Sequence, residues 1–443
     1  MSYFKFIESV MANRNIEPLR GIKVVEVTHF IFGPNIGRYL ALLGAEVIKI
    51  EPPGEGDRFR QAAIWGRFYK LANPYFLLQN TNKYFVATDM REKEGREILY
   101  RLIKSADIFI ENLRAGLADA MGIGYLYLNR LNPKLIYVSC SGYGQYGPLS
   151  RFPSFDVAAQ GVAGIATTTG WPDLDEFYKL PDYFGDYLPS LVAATAIMAA
   201  LIYRQHTGVG QYIDISQAES LLRFHYEITY YSLTGREIGK TGNVDPSASP
   251  SGIFRTADEK YVAIAILNDE QAKALAKATG IEELEKTTHL ERLEPKIIDM
   301  LNEKLEKWVS AKTLQDIIEI ASLHGFPAAP VLNDVEVTFD KWKWTRGTIE
   351  FINDRLYGRV AVVNMPSVFS RIRPRVKWLG RPVGYHNRLV LKKMGYSWSD
   401  IQRLIDKGVV GYWDNMIGAV PPPTWDPDKD PVFKGEKDET DYV

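Results

Sequence analysis

The residue whose type and setting most suggest chemistry is Asp186, an acid among turn-forming residues just before a long apolar stretch. It lies in KLPDYFGDYLPS, and the residues from about Leu188 to Tyr203 have the small, apolar composition of a core helix. An acid just ahead of a helix N-terminus can cap the helix by accepting backbone N–H hydrogen bonds. The same carboxylate, held ionised and aimed outward, could attack an electrophile. The local pattern favours the cap, because aspartate caps are common, and leaves the nucleophile open.

The elements that must position this acid alternate between strand and helix. Strand-like segments (GIKVVEVT, AEVIKIE, DIFIENL, KLIYVSCSGYG and YIDIS) are separated by helical ones. This alternation predicts an α/β fold with a Rossmann-like, doubly wound parallel sheet. In such a sheet the ligand crevice lies at the carboxyl ends of the strands. Asn112 and Arg114 follow one strand and are candidates for holding an anionic ligand, with a helix-start or loop role equally open.

Other residues near this edge are weaker candidates for a functional role. His29 follows the first strand, where a packed or capping histidine is more common than a base. Glu51 ends the second strand at the position of a ribose-binding acid, but the turn FIFGPNIG lacks the GxGxxG spacing that a dinucleotide needs. The loop after it carries Asp57, Arg58 and Arg60, which could form either a solvated loop or a lip that meets an anion.

Composition limits the protein class. The chain has 443 residues, a net charge of −1 and one cysteine, Cys140. This predicts two to three domains, no nucleic-acid partner, no disulfide and no thiolate zinc site; no other metal-ligand spacing stands out. The first 21 residues lack an apolar leader core, and LVAATAIMAALIY is too short and alanine-rich to span a bilayer. We therefore expect a cytoplasmic protein without a membrane partner.

Shifts in composition divide the chain. A polar Gly/Ser/Pro-rich loop begins soon after Tyr226, and strand-like segments return after Asn333. We expect residues 1–225 and 333–420 to form a large domain, residues 226–332 a small inserted domain, and residues 421–443 an irregular tail. Trp425 and Phe433 could hold this Pro-rich, charged tail against a surface.

Several blocks resemble one known family in order. They include PLRGIKVVEVTHFIFGPNIGRYLALLGAEVIKIEPPGEGDRFR, ADIFIENLRAGLADAMGIGY, FDVAAQGVAG, GDYLPSLVAATAIMAALIYRQHTGVGQYIDISQAES and PVGYHN. Together they resemble the class III (family III) CoA-transferases, whose relatives include formyl-CoA and carnitine CoA-transferases and α-methylacyl-CoA racemases. The resemblance runs from about Pro18 to Val410. It implies a large domain built from both ends of the chain, an inserted small domain, and two chains interlocked as linked rings in a homodimer.

The resemblance also implies an activity. Asp186 stands where the transferases carry a catalytic aspartate that attacks an acyl-CoA thioester, so CoA would pass to a carboxylic acid through an aspartyl intermediate. Coenzyme A is then substrate, with no permanently bound cofactor and no metal. The residues expected to line the CoA site are Phe30, Ile31, Asn112, Leu113, Arg114, Met121 and Tyr143. Ile31 departs from the glutamine of formyl-CoA transferase, which argues against a formyl or oxalyl substrate.

One position separates the transferases from their isomerase relatives. The racemases have a His-Asp pair where this chain has Phe155-Asp156, and a phenyl ring cannot transfer a proton. Racemisation is therefore disfavoured, and we expect Asp156 to be a helix cap. An isomerase reading stays open as the alternative, either as a racemase or as an intramolecular CoA transfer that uses the same aspartate; a non-catalytic CoA-binding protein is a third reading.

Overall fold

The computed structural model describes residues 17–443. The first 16 residues, on which the expected absence of a leader partly rests, lie outside this part. The strands are β1 (Lys23–Val27), β2 (Glu46–Glu51), β3 (Lys83–Ala87), β4 (Ile108–Glu111), β5 (Ile136–Ser141), β6 (Tyr212–Ser216), β7 (Ser251–Arg255), β8 (Tyr261–Ala265), β9 (Ala328–Pro330), β10 (Ile349–Asp354) and β11 (Gly358–Val363).

The helices up to the middle of the chain are α1 (Phe32–Leu42), α2 (Pro74–Gln79), α3 (Lys93–Ile103), α4 (Leu117–Ala120), α5 (Tyr125–Leu131), α6 (Asp156–Val162), α7 (Ile165–Thr168), α8 (Phe184–Thr207), α9 (Gln217–Leu222) and α10 (Glu227–Thr234). Those that follow are α11 (Asp269–Thr279), α12 (Glu283–Lys286), α13 (His289–Arg292), α14 (Pro295–Ser310), α15 (Leu314–His324), α16 (Asp334–Phe339), α17 (Lys341–Arg346), α18 (Asn387–Lys393) and α19 (Trp398–Asp406). Short 3-10 turns occupy Arg58–Arg60, Ile64–Gly66, Pro427–Lys429 and Glu439–Tyr442.

Six parallel strands form the main sheet, in the order β3-β2-β1-β4-β5-β6. The predicted α/β fold with a parallel sheet is confirmed. The strand order reverses between β1 and β4, where Val27 pairs with Glu111. A crevice opens at the carboxyl ends of strands at such a reversal, so the loops after β1 and β4 flank it.

Both faces of this sheet are covered, which explains the nearly continuous apolar strands. Val24 of β1 faces a core formed with α1 and α8, while its neighbours Val25 and Val27 face a second core. The second core includes Ile98 of α3 and also Leu404 of α19, a helix from the C-terminal part of the chain. Residues from both ends of the sequence therefore stabilise the same sheet.

The described chain forms two compact units. One contains residues as far as Ala163, Pro181–His225 and Lys341–Val443, and the other contains Gly164–Leu180 and Tyr226–Asp340. The second unit thus ends eight residues beyond the expected boundary at 332 and also takes in residues 164–180, which the sequence analysis placed in the large domain. Within it, β7, β8 and β9 form an antiparallel sheet over an apolar core of their own.

The C-terminal tail belongs to the first unit. Apart from its two 3-10 turns it is irregular, yet the rings of Trp425 and Phe433 pack with Tyr385. Glu439 is 1% exposed and ion-paired with the buried Arg381, Nε to Oε1 at 2.6 Å. Although burial alone raises a carboxyl pKa, the charge of Arg381 holds the pKa of Glu439 well below its usual range. Buried charge, together with aromatic packing, therefore anchors the tail.

Helix α8 corrects one argument made from the sequence. With 24 residues it is long and apolar enough, by length and composition alone, to cross a membrane. The prediction that the segment is too short was wrong, because the helix extends beyond LVAATAIMAALIY at both ends. Its packing is that of a helix in a protein core, because Ala193, Ile197 and Ala200 are buried against the sheet together with residues of α1. We therefore interpret it as a core helix.

Candidate active site

Asp186 lies inside the first turn of α8 rather than ahead of it. The helix begins at Phe184, the capping position is Tyr183 with a φ of 56°, and no side chain of that residue caps the helix. The N–H of Asp186 donates to the carbonyl oxygen of Tyr183 at 2.8 Å. The expectation that Asp186 is the N-cap is therefore wrong, because another residue supplies the cap and the helix starts three residues earlier than an Asp186 cap would allow.

That other residue is Asp156. Its Oδ1 accepts hydrogen bonds from the N–H of Gly185 at 2.7 Å and from Nε2 of Gln160 at 2.9 Å. Asp156 opens α6 but caps α8, 29 residues further along the chain. Gly185 makes this possible, since a Cβ there would lie 2.8 Å from Asp156 Oδ1. The two aspartates are thereby held close together at one helix terminus.

Gln217 positions the carboxylate of Asp186. Its Nε2 donates to Asp186 Oδ1 at 2.6 Å, and its own Oε1 accepts a hydrogen bond from Ser154 Oγ at 3.1 Å. The loop after β5 packs closely against Ser154, because a Cβ on Gly142 would lie 2.1 Å from Ser154 Cβ. Sequence reasoning missed Gln217. The available signal was its position, since it opens α9 directly after β6 at the carboxyl edge of the sheet.

The electrostatic setting of Asp186 is unusual for a carboxylate. Burial, and secondly the negative charge of Asp156, raise its pKa to about 7, and no cation offsets them. While Oδ1 is held by Gln217, Oδ2 accepts no hydrogen bond from residues 17–443. A poorly solvated carboxylate with one restrained and one free oxygen can act as a nucleophile whenever it is ionised.

The loops at the strand reversal are tied to each other. The side-chain amide of Asn112 accepts from the N–H of His29 at 2.9 Å and donates to the carbonyl oxygen of His29 at 2.8 Å. Its amide is therefore committed to the backbone of the neighbouring loop. Burial is the largest influence on His29 and lowers its pKa, in keeping with a packed residue.

Phe30 follows in a left-handed backbone conformation with a φ of 60°. Its N–H donates to Asp57 Oδ1 at 3.0 Å, and its ring meets the ring of Phe155 edge-on, with centroids 5.2 Å apart. A bulky residue adopts such a φ only where its surroundings impose it. Here the hydrogen bond to Asp57 is the restraint.

Charged residues after β2 are mostly interior. Asp57 Oδ2 lies 3.0 Å from Lys49 Nζ with both side chains fully buried, and Arg60 pairs with the buried Glu51 at 2.8 Å. Asp57 and Arg60 therefore belong neither to a solvated loop nor to a lip that binds an anion, because each is ion-paired inside the protein. Arg58 alone of these three is exposed. Glu51 is likewise occupied and cannot hold a ribose.

The seven expected CoA-site residues divide into two groups. The side chain of Ile31 is buried among Phe59, Phe76 and Phe85, and Leu113 and Met121 pack against the main core. With Asn112 tied to His29, these four support the loops. The remaining three stay at the surface of the crevice edge: Phe30 and Tyr143 are partly exposed, and Arg114 is exposed with no ion pair to any described residue. No cluster of three or more potential metal ligands occurs within residues 17–443.

Comparisons with known proteins identify the family of the chain. The model of CoA-transferase family III matches residues 19–387. The succinyl-CoA–D-citramalate CoA-transferase of Chloroflexus aurantiacus is 32% identical over 406 residues, which cover 90% of this chain and 100% of that relative. The human succinyl-CoA:glutarate CoA-transferase is 31% identical over 405 residues, or 89% of this chain and 90% of the relative.

Solved structures extend the agreement to the fold. The crystal structure of a CAIB/BAIF family protein from Brucella suis superposes with a TM-score of 0.74 at 31% sequence identity, covering 86% of this chain and 100% of that one. Because sequence, fold and chain length all match, the chain belongs to CoA-transferase family III and is a transferase enzyme.

Proposed function

We propose that this protein transfers CoA between an acyl-CoA thioester and a carboxylic acid, with Asp186 as the covalent nucleophile. One observation carries the proposal: the Asp186 carboxylate is fixed through Oδ1 by Gln217 at 2.6 Å, while Oδ2 accepts no hydrogen bond from the described part of the chain. It stands at the carboxyl edge of the sheet, on a helix terminus that orients it. A weak nucleophile gains more from such positioning than from added basicity.

The proposed transfer of CoA takes place in four steps. Asp186 attacks the thioester carbonyl carbon, the C–S bond breaks, and an acyl-aspartyl anhydride and CoA thiolate form. The thiolate attacks the aspartyl carbonyl carbon and releases the first carboxylate, which leaves an aspartyl-CoA thioester. The acceptor carboxylate attacks that thioester and again releases thiolate. The thiolate then attacks the acceptor acyl carbon, which yields the new acyl-CoA and restores the Asp186 carboxylate.

The neighbouring groups suit these intermediates. The amide of Gln217 can stay hydrogen-bonded to the aspartyl oxygen as its charge changes, which keeps the carbonyl oriented. Asp156 holds the N-terminus of α8 from the side and adds negative charge, which favours loss of charge from Asp186 on acylation. Limited solvent access protects the anhydride and the thioester from hydrolysis.

Racemisation has less support, because Phe155 offers no proton donor or acceptor beside Asp156. We infer a cytoplasmic homodimer in which coenzyme A enters only as substrate. Exposed apolar side chains favour a second copy: Ile202 and Tyr203 of α8 are 56% and 50% exposed, and Leu233 of α10 is 81% exposed. Interlocking of the two chains follows from the family and is part of the proposal.

A screen of acyl-CoA donors against isotope-labelled carboxylic acids tests the proposal. Transfer of label into the CoA thioester is expected for the wild type. Asp186→Asn is expected to lower the rate on the order of a thousand-fold or more, since it removes the nucleophile. The matched control, Asp182→Asn, changes an exposed aspartate of the same segment and is expected to retain activity. Full turnover by Asp186→Asn would show that the nucleophile is assigned to the wrong residue.

A further inference from the structure

We propose that the acid loaded by Asp186 is an aromatic or bulky apolar monocarboxylic acid, with Phe155 and Phe30 as the wall against which it packs. This inference rests on the proposed function and names the substrate class of that site. It departs from the chemistry in the names of the relatives, which act on citramalate and glutarate, both dicarboxylic acids.

The first support is an apolar surface next to the nucleophile. Phe155 directly precedes Asp156, whose carboxylate contacts Gly185, the neighbour of Asp186. The Phe155 ring is 58% exposed although it lies against Phe30. An aromatic pair with one exposed and one partly exposed ring, next to the helix turn of a reactive carboxylate, is a surface that an apolar group would cover favourably.

This surface continues into the protein. Phe30 packs against a buried cluster that includes Ile31 and Phe59, and Tyr183 and Tyr187 border the same cluster on either side of Asp186 along the chain. One aromatic cluster thus joins the loop after β1 to the first turn of α8, the turn that carries Asp186. Sites for apolar ligands are lined in this way, with a few polar groups that fix orientation.

The wall is rigid as well as apolar. Phe30 is held by its hydrogen bond to Asp57, and Asp57 is in turn fixed by the fully buried Lys49. Because Lys49 is paired with Asp57 inside the protein, its ammonium group is not free to bind a second carboxylate on a substrate. A restrained aromatic wall loses little conformational entropy when it binds a ligand.

Charge argues in the same direction. Asp186 forms no ion pair with a lysine or arginine among residues 17–443, and the negative charge of Asp156 adds to burial in raising its pKa. Arg60, the buried arginine of the nearby loop, is occupied by Glu51. A dicarboxylic acid would bring its second negative charge towards two aspartates, and a cation to receive it would have to come from elsewhere on the crevice edge, where Arg114 is exposed and unpaired with any described residue. An aryl or branched alkyl group meets no such repulsion.

Degenerate exchange gives the cleanest test, because each acid is paired with its own CoA thioester and the equilibrium constant is one. The wild-type protein is incubated with 3-phenylpropanoyl-CoA and labelled 3-phenylpropanoate, or with succinyl-CoA and labelled succinate. We expect kcat/KM for the aryl pair to exceed that for succinate by roughly ten-fold or more. Phe155→Ala should lower aryl exchange on the order of ten-fold while leaving succinate exchange nearly unchanged.

Two further variants complete the test. Phe155→Arg replaces the aromatic wall by a cation at that position and should raise succinate exchange relative to aryl exchange. Phe152→Ala removes a ring that is 61% exposed in the same segment and should change neither rate. Succinate exchange that equals or exceeds aryl exchange in the wild type overturns this inference and leaves the transferase mechanism standing. Absence of exchange with every acid overturns the proposed function itself, and this inference with it.

Discussion

Asp186→Asn should stabilise the folded protein, and more so at high pH. Burial raises the pKa of Asp186 to about 7 from its ordinary value of 3.8. Below about pH 4 both folded and unfolded chains carry the proton, and the residue is neutral to stability. As the pH rises to about 7, the unfolded chain releases the proton and the folded chain retains it, so the wild type loses stability. Above about pH 7 the loss is complete.

The magnitude follows from the gap between the two pKa values. The two pKa values differ by about three units, and each unit corresponds to about 1.36 kcal/mol. The free energy of unfolding that the wild type loses through this carboxyl group is therefore about 4 kcal/mol at pH 8 and about 1.5 kcal/mol at pH 5. Asparagine is isosteric and keeps an oxygen for the hydrogen bond from Gln217. The variant should therefore avoid the cost of burying charge without losing packing.

Urea unfolding of wild type and variant at pH 5 and pH 8 measures the effect. The comparison uses the transition of the unit that contains Asp186. Asp182→Asn, a change of the same type at an exposed position of the same unit, is the control and should show no pH-dependent difference. A stability difference for Asp186→Asn that is flat between pH 5 and pH 8, or that falls with pH, would refute a buried carboxylate with a raised pKa.

Three other predictions concern the partners of Asp186 and the ion pair of the C-terminal tail. Gln217→Leu removes the hydrogen bond to Asp186 Oδ1 and should lower kcat/KM by about ten- to a hundred-fold with the fold intact; unchanged kcat/KM, with circular dichroism as the folding check, would contradict a positioning role. Since ionised Asp186 is the reactive form, kcat/KM should rise with pH through about 7, and Asp156→Asn should move this midpoint lower by removing a negative charge; an unmoved midpoint would mean that the two carboxylates are not coupled. Glu439→Gln leaves the buried Arg381 with less compensating charge and should destabilise the protein by about 3 kcal/mol in urea unfolding, whereas Glu436→Gln on the surface should have little effect.

The sheet and its functional edge could be predicted from sequence because their signals are local. The strands from Lys23–Val27 to Tyr212–Ser216 are short apolar runs bounded by turn residues, and a parallel sheet fixes which ends share an edge. Asp186 was found as a polar residue beside a small-residue helix. Its role came from resemblance to a family, since local physics favoured an ordinary cap.

The contacts that build the site are not local, and for that reason the sequence did not reveal them. Asp156 caps a helix 29 residues away, and Gln217 reaches Asp186 across 31 residues. Asp57 resembled a loop residue because its partner, Lys49, lies inside a neighbouring apolar strand. A periodic pattern gives no sign of such pairs, because each partner alone is typical of a solvated position.

The most direct test of the central claim is mass spectrometry of the Asp186 peptide after incubation with acyl-CoA and quenching with hydroxylamine. An aspartyl thioester or anhydride reacts with hydroxylamine to give a hydroxamate, and we predict this mass change on Asp186 in the wild type. It should be absent when acyl-CoA is omitted and absent from Asp186→Asn. An unmodified Asp186 peptide in protein that is turning over, or a hydroxamate on another residue, would contradict the account.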